Sequence, residues 1–103
     1  VLDVVRGLRG LMDTPTAAGQ VFNVGNDFEI SIADLARLVA RKAGSASEIR
    51  FIPFEQAYDE NFEDLVRRVP DLSRIRSVMG YEAATGIEEI VEQVIAYQRM
   101  EQA

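Results

Sequence analysis

Between Ser31 and Gly44 the apolar residues Ile32, Leu35, Ala36, Leu38, Val39 and Ala43 recur at intervals of three and four. A hydroxyl residue stands in front of them, Asp34 follows it by three, and a glycine stands just behind, which together predict a capped amphipathic helix. Short runs of strand formers flank this helix. Val21-Phe22-Asn23-Val24 is closed by Gly25-Asn26-Asp27, and Ile49-Arg50-Phe51-Ile52 alternates before stopping at Pro53. The order strand, helix, strand predicts two parallel strands joined by a right-handed crossover, because strand twist lets the helix pack back only that way. The expected fold class is therefore α/β: a small helix-rich segment with a short parallel βαβ unit.

Helical periodicity recurs on both sides of that unit. Val1, Val4, Val5, Leu8, Leu11 and Met12 place an apolar stripe on a first helix ending near Asp13-Thr14-Pro15. No capping residue precedes Val1, so the natural chain is expected to extend upstream. Gly7 and Gly10 each cost a helix interior about 1 kcal/mol relative to alanine, which predicts close packing of another backbone there. Asp71 stands where it can cap a helix carrying Leu72, Ile75, Val78 and Met79, and Gly80 ends that helix. A last helix follows Thr85, with Ile87, Ile90, Val91, Val94 and Ile95 on its buried side and Glu88, Glu89 and Glu92 near its positive end. From Phe54 to Pro70 no period holds, and a long loop is expected.

With 103 residues the chain has room for one compact domain, 1–103. Eleven basic against seventeen acidic residues give a formal net charge of -6, so nucleic acid and anionic membrane surfaces are poor partners. No apolar run approaches the roughly 18 residues that span a bilayer. The absence of cysteine rules out disulfides and fits a reducing, cytoplasmic setting. With no histidine either, the common zinc sites and the Ser-His and Cys-His nucleophile pairs cannot be built from these residues.

Several features remain open between chemistry and plain structure. Arg67-Arg68 could grip a diphosphate through forked, charge-assisted hydrogen bonds, or could be a solvated pair balancing Glu63 and Asp64. Asp71 could accept hydrogen bonds from sugar hydroxyls, or serve only as a helix cap; both roles are compatible if one oxygen caps and the other faces a pocket. Gly25-Asn26 lacks the repeated glycines of a phosphate cradle and reads better as a turn. Tyr58 and Phe62 could stack on a base or fasten the loop to the core. Lys42, the one lysine, sits late in its helix, where its charge suits the negative end. Carboxylates abound, but nothing fixes two of them around a scissile bond, so hydrolase chemistry has no support.

Taken together, Asp3-Val4-Val5, the Val21 to Asn26 run, the helix begun by Ser31, Ile49 to Pro53, Arg67-Arg68-Val69-Pro70-Asp71-Leu72-Ser73 and Met79-Gly80-Tyr81-Glu82 resemble one pattern. It is similar to the C-terminal portion of NAD-dependent nucleotide-sugar epimerases and dehydratases, the extended short-chain dehydrogenase/reductase family. The resemblance implies a substrate-binding subdomain of a Rossmann-type enzyme, whose NAD and Tyr-x-x-x-Lys pair belong to an amino-terminal domain outside these residues. Here the residue four before Lys42 is Leu38, and no Gly-x-x-Gly-x-x-Gly loop occurs. Arg68 matches the family arginine on the substrate diphosphate and Asp71 a carboxylate that can bind the ribose; a second phosphate-gripping arginine would fall upstream of Val1. The implied partners are a nucleotide-diphosphate sugar and the amino-terminal domain. The implied reaction is closest to that of UDP-glucose 4-epimerase, with this segment inactive alone. The alternative is a freestanding binding or assembly module of the same shape. An exposed docking face would also let the chain self-associate.

Overall fold

The computed structural model describes residues 1–57 and 68–102; Tyr58, Phe62 and Arg67 lie outside them. Five α-helices are present among the described residues: α1 Leu2–Met12, α2 Ile32–Ala43, α3 Phe54–Ala57, α4 Ser73–Met79 and α5 Ile87–Glu101. A single 3-10 turn, Pro15–Ala17, follows α1. No helix is long and apolar enough to cross a membrane among the described residues. The chain divides into two compact units, one of Val1–Glu29 with Val69–Ile90 and the other of Ile30–Arg68 with Val91–Ala103.

The secondary structure corrects the expected fold class, a small α/β segment with a parallel βαβ unit. No strand forms among the described residues, so there is no parallel βαβ unit. The physical reason is that a strand exists only through its ladder partner, and the two runs of strand formers fall in different units. In the first unit the 21–24 run meets side chains instead of a neighbouring strand. Arg74 Nη1 donates to the Val21 carbonyl at 2.8 Å, and Val24 packs against the core.

The core of the first unit is Leu72, Ile75 and Tyr81, each at most 1% exposed, with Leu11, Phe22, Val24 and Met79 packed against it. Helix α1 meets this cluster through its glycines and Leu11, with most of its apolar stripe left exposed. Gly7 is buried, and a Cβ there would sit 2.8 Å from Val24 Cγ1 and 3.3 Å from the Tyr81 ring; Gly10 lies against the Met79 side chain. The close neighbours are thus side chains, not a backbone. Val1, Val5, Leu8 and Met12, spaced to share one face of α1, are exposed, Val1 and Met12 at 97% and 86%.

Two polar ties complete the unit. Asp3 accepts the amides of Ala84 (3.1 Å) and Thr85 (3.0 Å) and pairs with Arg6 at 3.1 Å. Arg6 donates in turn to the Glu82 carbonyl and lies 5.7 Å from the centre of the Tyr81 ring, in cation–π range. Arg76 bridges Asp27 and Glu82, each at 3.0 Å. The Thr85 amide first, then that of Ala84, holds the Asp3 carboxyl below the usual carboxylate range. A carboxyl whose pKa is lowered by folding stabilises the fold above its unfolded value and loses that contribution as pH falls through the folded one. Urea midpoints should therefore drop as pH falls below roughly 4. Asp3→Asn, which keeps a single acceptor for two amides, should be less stable at neutral pH and show a shallower acid decline; identical acid limbs in the two proteins would exclude Asp3 as their source.

In the second unit α2 has the ends that its sequence dictates. Ser31 Oγ accepts the Asp34 amide at 3.0 Å, and Gly44, at φ 64°, turns the chain so that the Ser45 amide reaches the Ala40 carbonyl at 2.9 Å. Leu38 and Val91 are buried. Lys42 Nζ meets Glu92 at 2.7 Å and Arg99 donates to the Ala43 carbonyl at 2.9 Å, tying the end of α2 to α5. On α5, Val94 is exposed rather than buried. Ile32, Leu35, Ala36, Val39 and Ala43 of α2, with Ile49, line an open groove of about 510 Å³. It is almost wholly apolar, so it offers little with which to orient a polar ligand.

Candidate functional site

The polar chemistry of the first unit converges on the start of α4. Val21, Asn23, Asp71, Ser73, Arg74 and Ser77 line a cleft of about 630 Å³, within the range of small-ligand sites. Helical spacing places Arg74 and Ser77 on one face of α4, with Asp71 one turn before Arg74. The other wall is the 21–23 segment, held by the Arg74 bond to Val21 and by Asn23 Nδ2, which donates to the Asp71 carbonyl at 3.3 Å. Ser77 Oγ donates to the Arg74 carbonyl at 2.8 Å.

Asp71 is an exposed carboxylate with a defined geometry. Its Oδ1 accepts the Ser73 amide at 2.9 Å and the Ser73 hydroxyl. The N-cap of α4 is Leu72, which makes no side-chain cap bond, so Asp71 is not the cap expected from sequence; it stands one residue earlier and forms an Asx turn onto Ser73, the first helical residue. The Ser73 hydroxyl and then the Ser73 amide hold the Asp71 carboxyl below its usual range, with Arg76 and Arg74 adding to the effect. Near neutrality it is ionised and can only accept hydrogen bonds. Both bonds from described residues fall on Oδ1, and neither falls on Oδ2.

The other residues singled out by sequence fall elsewhere. Arg68 is exposed and belongs to the second unit, so it and Asp71 are not brought together within one unit. Gly25-Asn26 forms a structural turn: Asn26 Oδ1 accepts the Phe28 amide at 2.9 Å and Nδ2 donates to the Thr85 carbonyl at 3.3 Å. Asn23, Ser73, Arg74 and Ser77 escaped the sequence reading. The spacing of Asp71, Arg74 and Ser77 along α4 was the available signal.

No protein-family model matches the chain. Individual proteins do match along nearly its whole length. UDP-glucuronic acid decarboxylase 1 of Xenopus tropicalis is 35% identical over 101 residues, which are 98% of this chain and 22% of that protein. UDP-N-acetyl-alpha-D-glucosaminuronate decarboxylase of Bacillus cytotoxicus is 27% identical over 96% of this chain and 30% of its own length. UDP-D-apiose/UDP-D-xylose synthase of rice (Oryza sativa subsp. japonica) is 25% identical over 95% of this chain and 27% of its own. The chain thus spans between 22% and 30% of the length of these relatives. With similarity sustained along nearly all its residues, the chain is homologous to a segment of these UDP-sugar decarboxylases and synthases, which are extended short-chain dehydrogenase/reductases.

Proposed function

We propose that these residues form the substrate-binding part of an NAD-dependent enzyme that acts on a UDP-sugar, and that hydride transfer is carried out by residues outside this chain. The observation that carries the reading is the Asp71 carboxylate: it lines a polar cleft, is ionised, and has its intramolecular hydrogen bonds gathered on one oxygen. In this reading Oδ2 accepts the hydroxyls of the nucleotide ribose, and Arg68 contacts the diphosphate. Binding energy from the nucleotide then orients a sugar that reacts elsewhere. The resemblance implied a reaction closest to that of a 4-epimerase. The relatives instead carry the names of decarboxylases and apiose/xylose synthases, which favours a UDP-hexuronate as the sugar donor.

The described residues do not fit a dinucleotide cradle. At Gly25, the glycine that follows the 21–24 run, an added Cβ would have Pro70 Cγ as its neighbour at 3.8 Å, an ordinary contact that does not demand glycine. Gly19, Gly44 and Gly80 have positive φ but open space around them, as turn and helix-end glycines do. No step of hydride chemistry is assigned to these residues.

Binding of uridine to the chain, followed by ligand-titrated NMR, tests the reading. Asp71→Asn should weaken it by about tenfold, the loss of a hydrogen bond to a charged group. Ser73→Ala, which removes the hydroxyl that Oδ1 accepts, should weaken it far less. Unchanged affinity in Asp71→Asn would take Asp71 out of the site.

A further inference from the structure

We infer that Arg74 is an anion-contacting residue of the Asp71 cleft, so that the cleft takes a ligand carrying a vicinal diol and an anionic group together. The inference rests on the role proposed for Asp71 and adds a residue to it.

The argument starts from the distribution of charge in the first unit. Arg6 pairs with Asp3, and Arg76 with Asp27 and Glu82. Arg9 and Arg74 make no ion pair among the described residues, and of the two only Arg74 lines the cleft. The one hydrogen bond of its guanidinium among those residues runs from Nη1 to a neutral acceptor, the Val21 carbonyl, at 2.8 Å. A guanidinium has five N–H donors in one plane, so that bond fixes the orientation of the group and leaves most of its donors unused. Fixing the fork beforehand lowers the entropy lost when a ligand is gripped.

The second step is that a carboxylate and a guanidinium line the same cleft without joining. Asp71 directs its Oδ1 to Ser73 and forms no salt bridge with Arg74, although the two charges are close enough for Arg74 to favour the ionised carboxylate. A simple anion entering the cleft gains Arg74 but is repelled by Asp71, and a simple cation meets the reverse. The complementary ligand offers hydroxyl donors to the carboxylate and a phosphate to the fork, where paired charge-assisted hydrogen bonds are strongest. Asn23, Ser73 and Ser77 supply neutral polar groups between them.

The test compares uridine, UDP and inorganic pyrophosphate as ligands of the full chain, by NMR titration of the unmodified protein, Arg74→Gln, Arg74→Lys and Asp71→Asn. Arg74→Gln should weaken UDP by about tenfold and leave uridine unchanged, and Arg74→Lys, which keeps the charge without the fork, should fall between. Pyrophosphate should bind the unmodified chain less tightly than UDP. An equal loss for UDP and uridine in both Arg74 variants would make Arg74 a structural tie to Val21 and overturn the inference, as would UDP affinity indifferent to Arg74→Gln. If Asp71→Asn leaves uridine unchanged while Arg74→Gln still weakens UDP, the Asp71 reading fails and the anion contact survives. If UDP does not bind the unmodified chain, both fail.

Discussion

Ile75→Ala should destabilise the first unit by about 2–5 kcal/mol, the cost of emptying a fully enclosed aliphatic site that cannot collapse completely. Ile75 is 0% exposed and, with Leu72 and Tyr81, forms the whole of the fully buried cluster. With so few enclosed side chains, that loss is a large share of what holds the unit, since whole domains are stable by only about 5–15 kcal/mol. Urea unfolding followed by tyrosine fluorescence and far-ultraviolet circular dichroism should show the midpoint collapse. Val94→Ala provides the contrast: Val94 lies on the exposed side of α5, and its truncation should change stability by no more than about 0.5 kcal/mol. Equal effects for the two substitutions would mean that Ile75 is not at the centre of a core.

The helices were legible in the sequence because their determinants are local. Ser31 and Gly44 bound α2 as their residue types require, and Gly80, at φ 66°, closes α4. Strand pairing is a non-local property, and two short runs of β-formers carry no information about whether they meet. Val21 to Val24 ends against α4 side chains, and Ile49 to Ile52 belongs to a different unit. The face that α1 buries was also hidden. Periodicity of large apolar residues points to Val1, Val4, Val5, Leu8, Leu11 and Met12, of which Leu11 packs on the core, yet the helix also approaches it at Gly7, where the absence of a side chain is what lets Val24 and Tyr81 come close.

The site was legible only in part, for a related reason. Asp71 drew notice by its place before an apolar helical pattern, although its bonds to Ser73 are those of an Asx turn leading into α4 and the N-cap is Leu72. Its neighbours in the cleft could not be read the same way. Asn23 is 48 residues distant in sequence, and Arg74 looks like any basic residue on a short helix until its tie to Val21 is seen. Arg68 was marked by resemblance, and no geometry within either unit joins it to Asp71.

Tyr81 links this core to the cleft, and two substitutions separate its contributions. Its hydroxyl donates to the Gly25 carbonyl at 2.7 Å, and its ring fills the space that Gly7 leaves open beneath Arg6. Burial pushes the phenol pKa up, with the Asp3 charge adding to the shift, so the hydroxyl is a donor near neutrality. Tyr81→Phe keeps the ring and strands the carbonyl, at a cost of about 1–3 kcal/mol depending on whether water reaches it. Tyr81→Ala also removes the ring and should cost about 3–5 kcal/mol. Because Gly25 follows directly on the segment that forms one wall of the cleft, Tyr81→Phe should also broaden the amide resonances of Asn23 and Val24 while leaving those of α2 in place. A phenylalanine variant with unchanged stability and an unchanged 21–25 spectrum would show that the hydroxyl contributes nothing to that wall, and that the ring alone holds α1 and α4 together.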